Sequence, residues 1–417
     1  MSMHTFERQT IIQRFKIHLR DQGYCKEVRR HYPPIANRFL RYLGDHSRFI
    51  EAALPADVEG FLRRERLQYR KRNGRAPPDI AQWRRELGCP ARLLLRLING
   101  RWPRQLPPTS PREAFHRELL EGYDQWMEEL RGLATETRGG RLAVAREFLD
   151  GLDERSDPEC LVQLEIRDID AYIGHRVAGL RRRSIKGLTT SLRAFVRYLH
   201  GSGRTRRDLS SSVTSPTLYT YEGIPSALSP QDVHNVLVVT RQDRTTAGLR
   251  DYAILMLLAT YGLRAGEIAS LRLDDIDWRK DTLHVRHSKT GVSSNLPLMR
   301  EPGDALLKYL KGGRPSCAAR EVFLRLRAPH RPFVNGSSLY YVARSRLNAA
   351  GIMPPGKKGP HAFRHARAVG LLRATVSLKA IGDILGHRST LSTGAYLKLA
   401  TEDLRAVALD VPTEVSP

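Results

Sequence analysis

The strongest constraint on the fold is a helical spacing of apolar residues that occurs twice in the first half of the chain. Ala36-Asn-Arg-Phe39-Leu40 returns as Ala145-Arg-Glu-Phe148-Leu149, and Asp57-Val58-Glu-Gly-Phe61 returns as Asp168-Ile169-Asp-Ala-Tyr172. Gly23 stands sixteen residues before Phe39, as Gly132 does before Phe148. The offset stays between 109 and 111 residues, as a duplicated helical module would require. Two unrelated amphipathic bundles would share part of this pattern, because burying one helix face always places apolar residues three and four apart. On either account, residues 1–105 and 112–205 read as two helical domains. The first has stripes at Ile11, Phe15 and Leu19, at Ile35, Phe39 and Leu43, and at Val58, Phe61 and Leu62, with another helix expected around Ile80 to Leu97. The second ends in Ser184 to Leu199, with Leu188, Leu192, Phe195, Val196 and Leu199 on one face. Pro103, Pro107, Pro108 and Pro111 mark the join between them as a linker.

A third domain, residues 222–417, follows a Gly-, Ser-, Thr- and Pro-containing linker from Gly201 to Pro225. Ser229-Pro230 supplies an N-cap with proline at the first helical position, and Asp232 falls in the first turn. Asp251 to Thr260 continues as an apolar helix that Gly262 stops, and Gly266 to Leu271 opens the next. Thr282-Leu-His-Val-Arg286 and Asn295-Leu-Pro-Leu298 alternate on either side of Lys289-Thr-Gly291, which is a hairpin pattern. Leu339 to Ala350, Ala362 to Arg373 and Leu378 to Leu385 read as helices, and Thr401 to Leu409 as a short terminal one. The expected fold class is mainly α with a small antiparallel sheet: helical N-terminal domains and a mixed α/β third domain.

The 69 lysines and arginines outnumber the 44 acidic residues, for a formal net charge of +25. That excess suits a polyanionic partner, because cations laid along phosphates release condensed counterions. A merely solubilising surface explains scattered charge better than it explains the runs Arg63-Arg64 through Arg75 and Arg181-Arg182-Arg183. Arg63, Arg64, Arg182, Arg183, Lys186 and Arg193 are the candidate backbone contacts, although any one of them alone could be an ordinary solvated side chain. Cys25, Cys89, Cys160 and Cys317 stand far apart with no CxxC pair, which suits a reducing compartment rather than a disulfide framework or zinc module. No apolar run approaches bilayer-spanning length, and the charged N-terminus has no signal-peptide core. The expected location is cytoplasmic, with no membrane partner.

Chemistry-bearing residues gather in the last domain. Gly262-Leu-Arg264-Ala-Gly-Glu267 and Ser288-Lys289-Thr-Gly291 precede His361-Ala-Phe-Arg364-His365, Leu385-Gly386-His387 and Tyr396. A phosphodiester carries one negative charge, and its pentacoordinate transition state carries more on the non-bridging oxygens. Two fixed guanidinium forks suit those oxygens better than lysine does. Tyr396 is the nucleophile candidate; a phenol of pKa about 10 needs a base or a cationic pocket to attack at neutral pH. Singly, an arginine is more often solvated and a tyrosine more often packed. His361 and His365 also have the spacing of a zinc pair, but Ala362 occupies the place where the zincin motif needs glutamate. No metal site is expected.

On these residues the chain resembles the tyrosine recombinases of the phage-integrase family. The resemblance runs firmly over about 226–398 and loosely over 113–199, where it suggests a core-binding domain. It implies that Arg264 and Arg364 bind the phosphate and that His361 assists deprotonation of Tyr396. It further implies that His387 bonds a non-bridging oxygen, Lys289 protonates the departing 5′-oxygen, with His287 a nearby rival, and Glu267 orients the cations. The implied reaction is cleavage and rejoining of double-stranded DNA through a 3′-phosphotyrosyl intermediate. It requires neither ATP nor a metal cofactor, and it serves integration or excision of a mobile element. The implied assembly is a tetrameric synapse, with other recombinases or accessory DNA-bending proteins as further candidate partners. A type IB topoisomerase would share the chemistry but religate the same strand, and a non-catalytic DNA-binding protein would share the charge. The first hundred residues depart from minimal family members and could form an arm-binding or a duplicated core-binding domain.

Overall fold

The computed structural model describes residues 5–100, 102–103, 107–219, 227–287, 291–354 and 356–386. Lys289, His387, Tyr396 and the helix expected at Thr401 to Leu409 lie outside the described residues. The described chain is helical apart from one three-stranded antiparallel sheet. It divides into two compact units, Met1–Pro103 with Gly223–Pro417, and Arg104–Glu222.

The first unit opens with α1 (Thr5–Asp21), α2 (Lys26–Asp45), α3 (Pro55–Asn73) and α4 (Ile80–Asn99). Phe15, Phe39, Leu43, Phe61 and Leu95 meet in one core. α2 begins well before its apolar stripe and runs through Pro33 and Pro34. Each proline removes a donor from the helix ladder. A buried face that includes Ala36, Phe39, Leu40 and Leu43 offsets the loss. The basic stretch from Arg63 is helical to Asn73, where Gly74 ends α3.

The second unit holds α5 (Pro111–Glu129), α6 (Thr135–Leu152), α7 (Pro158–Leu161), α8 (Ile166–Arg176) and α9 (Arg182–Gly201). α9 buries the stripe Leu188, Leu192, Phe195, Val196 and Leu199, and each such side chain contributes roughly 1.5–3 kcal/mol when removed from water. Arg183, Lys186 and Arg197 remain exposed on its other faces.

The remainder of the first unit positions the chemistry. α10 (Pro230–Gln242) starts with the expected cap: the Ser229 hydroxyl accepts from Asp232 N at 3.0 Å, and Asp232 Oδ2 accepts from Ser229 N at 3.3 Å. α11 (Thr246–Tyr261) is the central apolar helix and buries Ile254, Leu255, Leu257 and Leu258. α12 (Ala265–Ala269) leads to the sheet of β1 (Ile276–Asp277), β2 (Thr282–His287) and β3 (Val292–Pro297). β2 and β3 form the expected hairpin, pairing Thr282 with Pro297 and His287 with Val292. The two-residue β1 was not legible in the sequence. α13 (Arg300–Gly312), α14 (Ser337–Ala349), α15 (Pro360–Arg373) and α16 (Leu378–Leu385) complete the described fold. Among the described residues no helix is long and apolar enough to cross a membrane.

Candidate active site

α11 ends at Gly262, which adopts φ +66°. A Cβ there would lie 2.8 Å from Leu385 and 3.4 Å from Arg367, so both the backbone angle and the close approach call for glycine. Two residues later Arg264 caps α12. Its backbone N donates to Glu267 Oε2 at 2.7 Å, its Nη1 donates to Glu267 Oε1 at 2.7 Å, and its Nη2 donates to Gly386 O at 3.1 Å. Glu267 is 1% exposed. Burial pushes its carboxyl up, but hydrogen bonds from His287 and from the Arg264 backbone and guanidinium outweigh this and hold it below the usual carboxylate range.

His287 ends β2 and is fully buried. Its Nδ1 lies 2.8 Å from Glu267 Oε1 and its Nε2 lies 3.0 Å from the Ser294 hydroxyl on β3. The imidazole therefore ties the hairpin to the carboxylate that holds Arg264. The sequence offered His287 only as a rival to Lys289; the signal for its structural place was the inward register Leu283, Val285, His287 on an alternating strand.

Arg364 lies on α15 and is 3% exposed. Its Nη1 donates to Gly262 O at 2.8 Å and its Nη2 to Leu385 O at 2.6 Å. These carbonyls lie at the C-terminal ends of α11 and α16, where no intrahelical donor is available. One guanidinium thus joins three helices. His361 occupies the first turn of α15, exposed, and its ring lies 6.1 Å from that of His365.

The structure therefore brings Arg264, Glu267, His287 and Arg364 around Leu385 and Gly386, the two residues that precede His387 in sequence. Gly386 has φ +64°, and a Cβ there would fall 2.5 Å from His287 Nδ1, so only glycine fits against this network. Among the described residues no group of three or more His, Cys, Asp or Glu is placed to hold a metal ion.

The candidate DNA contacts divide by their local partners. Arg63 is exposed, whereas Arg64 donates to Asp45 at 2.6 Å and lies over the Tyr42 ring. Arg183 and Lys186 are exposed on α9. Arg182 stands over the Tyr219 ring, and Arg193 donates to Val213 O at 2.5 Å and to the Ser215 hydroxyl at 2.9 Å.

The described site gathers two guanidiniums, a buried carboxylate and a buried imidazole at one turn, and the sequence comparisons give the class of the enzyme. Residues 227–403 match the phage integrase family, and the chain belongs to that family, whose tyrosine recombinases cleave and rejoin DNA. It is 58% identical over 194 residues to "Putative integrase/recombinase y4gC" of Sinorhizobium fredii (strain NBRC 101917 / NGR234), covering 46% of this chain and 100% of that protein. It is 38% identical over 298 residues to "Putative integrase/recombinase y4rA" of the same strain, covering 71% of each. With tyrosine recombinase XerC of Syntrophus aciditrophicus (strain SB) it shares 28% identity over 302 residues, 70% of this chain and 96% of that one. Among solved structures it is similar to a lambda integrase dimer bound to a COC' core site, at 19% identity, 80% and 90% coverage and a TM-score of 0.52. It is likewise similar to XerH site-specific recombinase bound to palindromic difH substrate in a post-cleavage complex, at 13% identity, 71% and 87% coverage and a TM-score of 0.52. At these identities the structural likeness is one of fold.

Proposed function

We propose that this recombinase acts at specific sites in double-stranded DNA, with Tyr396 as nucleophile, to integrate or excise a mobile element in the cytoplasm. The supporting observation is that Arg264 and Arg364 donate to consecutive carbonyls, Gly386 and Leu385, which fixes two cations around the turn leading into His387. Those cations offset charge that grows on the non-bridging oxygens as phosphorus becomes pentacoordinate. The Tyr396 oxygen bonds to phosphorus while the bond to the 5′-oxygen breaks. The phenolic proton passes to His361, Lys289 donates a proton to the departing oxygen, and His387 hydrogen-bonds a non-bridging oxygen. The 5′-hydroxyl of a partner duplex then reverses the step.

His287 acts as a positioning residue in this scheme. Its ring is fully buried and both nitrogens are engaged by Glu267 and Ser294, so it holds Glu267 and the hairpin rather than meeting the leaving group. Residues 222–417 form the catalytic domain and 112–205 the core-binding domain, with Arg182, Arg183, Lys186 and Arg193 on its DNA side. Residues 1–105 form a further DNA-binding domain, with Arg63 and Arg64 among its candidate contacts. Four protomers assemble on two duplexes, an arrangement for which a lambda integrase tetramer bound to a Holliday junction is the precedent.

A supercoiled plasmid carrying two copies of the native flanking DNA tests the reading. Exchange between the two copies is the expected result. Relaxation of the plasmid without exchange would identify a topoisomerase, and binding without either would identify a non-catalytic protein.

A further inference from the structure

The first helical module matches the second contact by contact. Phe15 and Leu19 of α1 correspond to Tyr123 and Met127 of α5, all fully buried. After each helix the chain turns back alike: Tyr24 N donates to Leu19 O at 3.0 Å, and Leu133 N to Met127 O at 3.1 Å. Phe39 meets Phe61 edge-on at 5.3 Å and 69°, and Phe148 meets Tyr172 edge-on at 5.2 Å and 75°. Asp57 caps α3 by accepting from Leu54 N at 2.7 Å and pairs with Arg48 at 3.3 Å. Asp168 caps α8 by accepting from Glu165 N at 2.9 Å and pairs with Arg155 at 2.9 Å. Apolar spacing alone does not reproduce paired ring geometries and a capped, arginine-paired aspartate.

The last helices of the two modules match as well, although their offset drops to 101 residues. Leu87, Ala91, Leu94 and Leu95 of α4 take the buried positions of Leu188, Leu192, Phe195 and Val196 of α9. In that register Arg85, Arg92 and Arg96 stand where α9 has Lys186, Arg193 and Arg197, with the same sequence of exposed and half-buried positions. We infer that the α4 face carrying Arg85, Arg92 and Arg96 is a second binding surface for the phosphate backbone of double-stranded DNA. The inference rests on the reading of α9 as the DNA-facing helix of its module.

Local charge supports it. Arg92 reaches Glu59 at 3.7 Å, a carboxylate that also receives Arg84 at 2.5 Å. Arg85 and Arg96 pair with no carboxylate among the described residues. Burial pushes the Tyr24 phenol up, while the nearby charges of Arg325, Arg331 and Arg96 draw it back. A phosphate backbone laid across Arg85 and Arg96 supplies an anionic partner that no described carboxylate supplies. The basic end of α3 has no such counterpart, since α3 spans 19 residues and α8 spans 11.

The test uses the full-length protein and a fluorescent duplex of arbitrary sequence longer than the protein's footprint, titrated at several salt concentrations. Three variants each remove two exposed charges: Arg85→Gln with Arg96→Gln on α4, Lys186→Gln with Arg197→Gln on α9, and Arg14→Gln with Lys16→Gln on α1. Unchanged thermal unfolding of each variant establishes that folding is intact. The α4 and α9 variants are each expected to lower the slope of log affinity against log salt by roughly two units, about 0.9 per phosphate contact, and the α1 variant to change it little. A drop for α9 with no change for α4 would overturn the inference. Equal drops for all three would overturn it too, since net charge and not the α4 face would then be responsible. A drop for α4 alone would uphold the second surface and remove the reading of α9.

Discussion

Arg264 and Arg364 bring the same charge to the same turn, yet they are anchored in opposite ways. Arg264 is 19% exposed along its side chain and is held by a buried carboxylate, Glu267, itself bonded to His287. Arg364 is 3% exposed and donates to the carbonyls of Gly262 and Leu385. The first anchor is a charge pair backed by a titratable group. The second is a set of helix-end dipoles with no titration of their own. The α12 anchor should therefore respond to protonation of Glu267 and to changes in the hairpin, whereas the two carbonyls of the α15 anchor do not titrate.

Lys289 follows the strand that His287 ties to Glu267, and its substitution should have the largest effect in this set. Lys289→Ala is expected to slow cleavage of ordinary DNA by about 10²–10⁴-fold, the usual worth of general acid catalysis. A substrate with sulfur at the bridging 5′ position should restore the rate, because a thiolate leaves without protonation. Failure of that rescue would make another group the acid.

Arg264→Ala and Arg364→Ala should each cost about 10²–10³-fold in cleavage rate, as removal of one transition-state donor typically does. Their unfolding should separate them. Arg264→Ala leaves Glu267 buried with one partner fewer, a loss of about 3–5 kcal/mol for a broken buried pair. Arg364→Ala orphans two carbonyls at about 1–3 kcal/mol each. Acidification protonates Glu267 and should narrow the stability gap between wild type and Arg264→Ala more than the gap to Arg364→Ala. Parallel behaviour of the two gaps in a pH series of denaturant melts would erase the distinction.

Glu267→Gln keeps the shape of the α12 anchor and removes its charge. Cleavage should fall by about 10–10²-fold, since a hydrogen bond to a charged group contributes about 1.5–3 kcal/mol. The smallest effect is on stability against pH. The folded pKa of Glu267 is depressed, so its contribution is fully present above the unfolded value of about 4.3. That contribution is lost as pH falls through the depressed folded value. The difference between wild type and Glu267→Gln should shrink across that acid window and stay constant above it.

Much of this arrangement was legible because single residues force it. Ser229-Pro230 with Asp232 starts α10, Gly262 ends α11, and the alternation around Lys289 makes the hairpin. The Glu267 and His287 pairing was not legible. It joins residues twenty positions apart through a side-chain bond that no periodicity encodes. The match between α4 and α9 was hidden by the extra length of α3, which shifts the offset after Asp57-Val58-Glu-Gly-Phe61. The helical start of α2 was obscured by Pro33 and Pro34, where packing overrides local preference.

A phosphate held by Arg264 and Arg364 is expected to be attacked by Tyr396. A nicked duplex carrying the native flanking sequence traps the intermediate, because the freed 5′ end diffuses away and cannot reverse the step. Wild-type protein should form a 3′-linked adduct without added divalent metal or ATP, and proteolysis should leave the nucleotide on the peptide containing Tyr396. Tyr396→Phe should bind the same duplex with unchanged affinity and form no adduct. An adduct formed by Tyr396→Phe, or one mapped to Tyr340, Tyr341 or Tyr309 in the wild-type protein, would contradict the account.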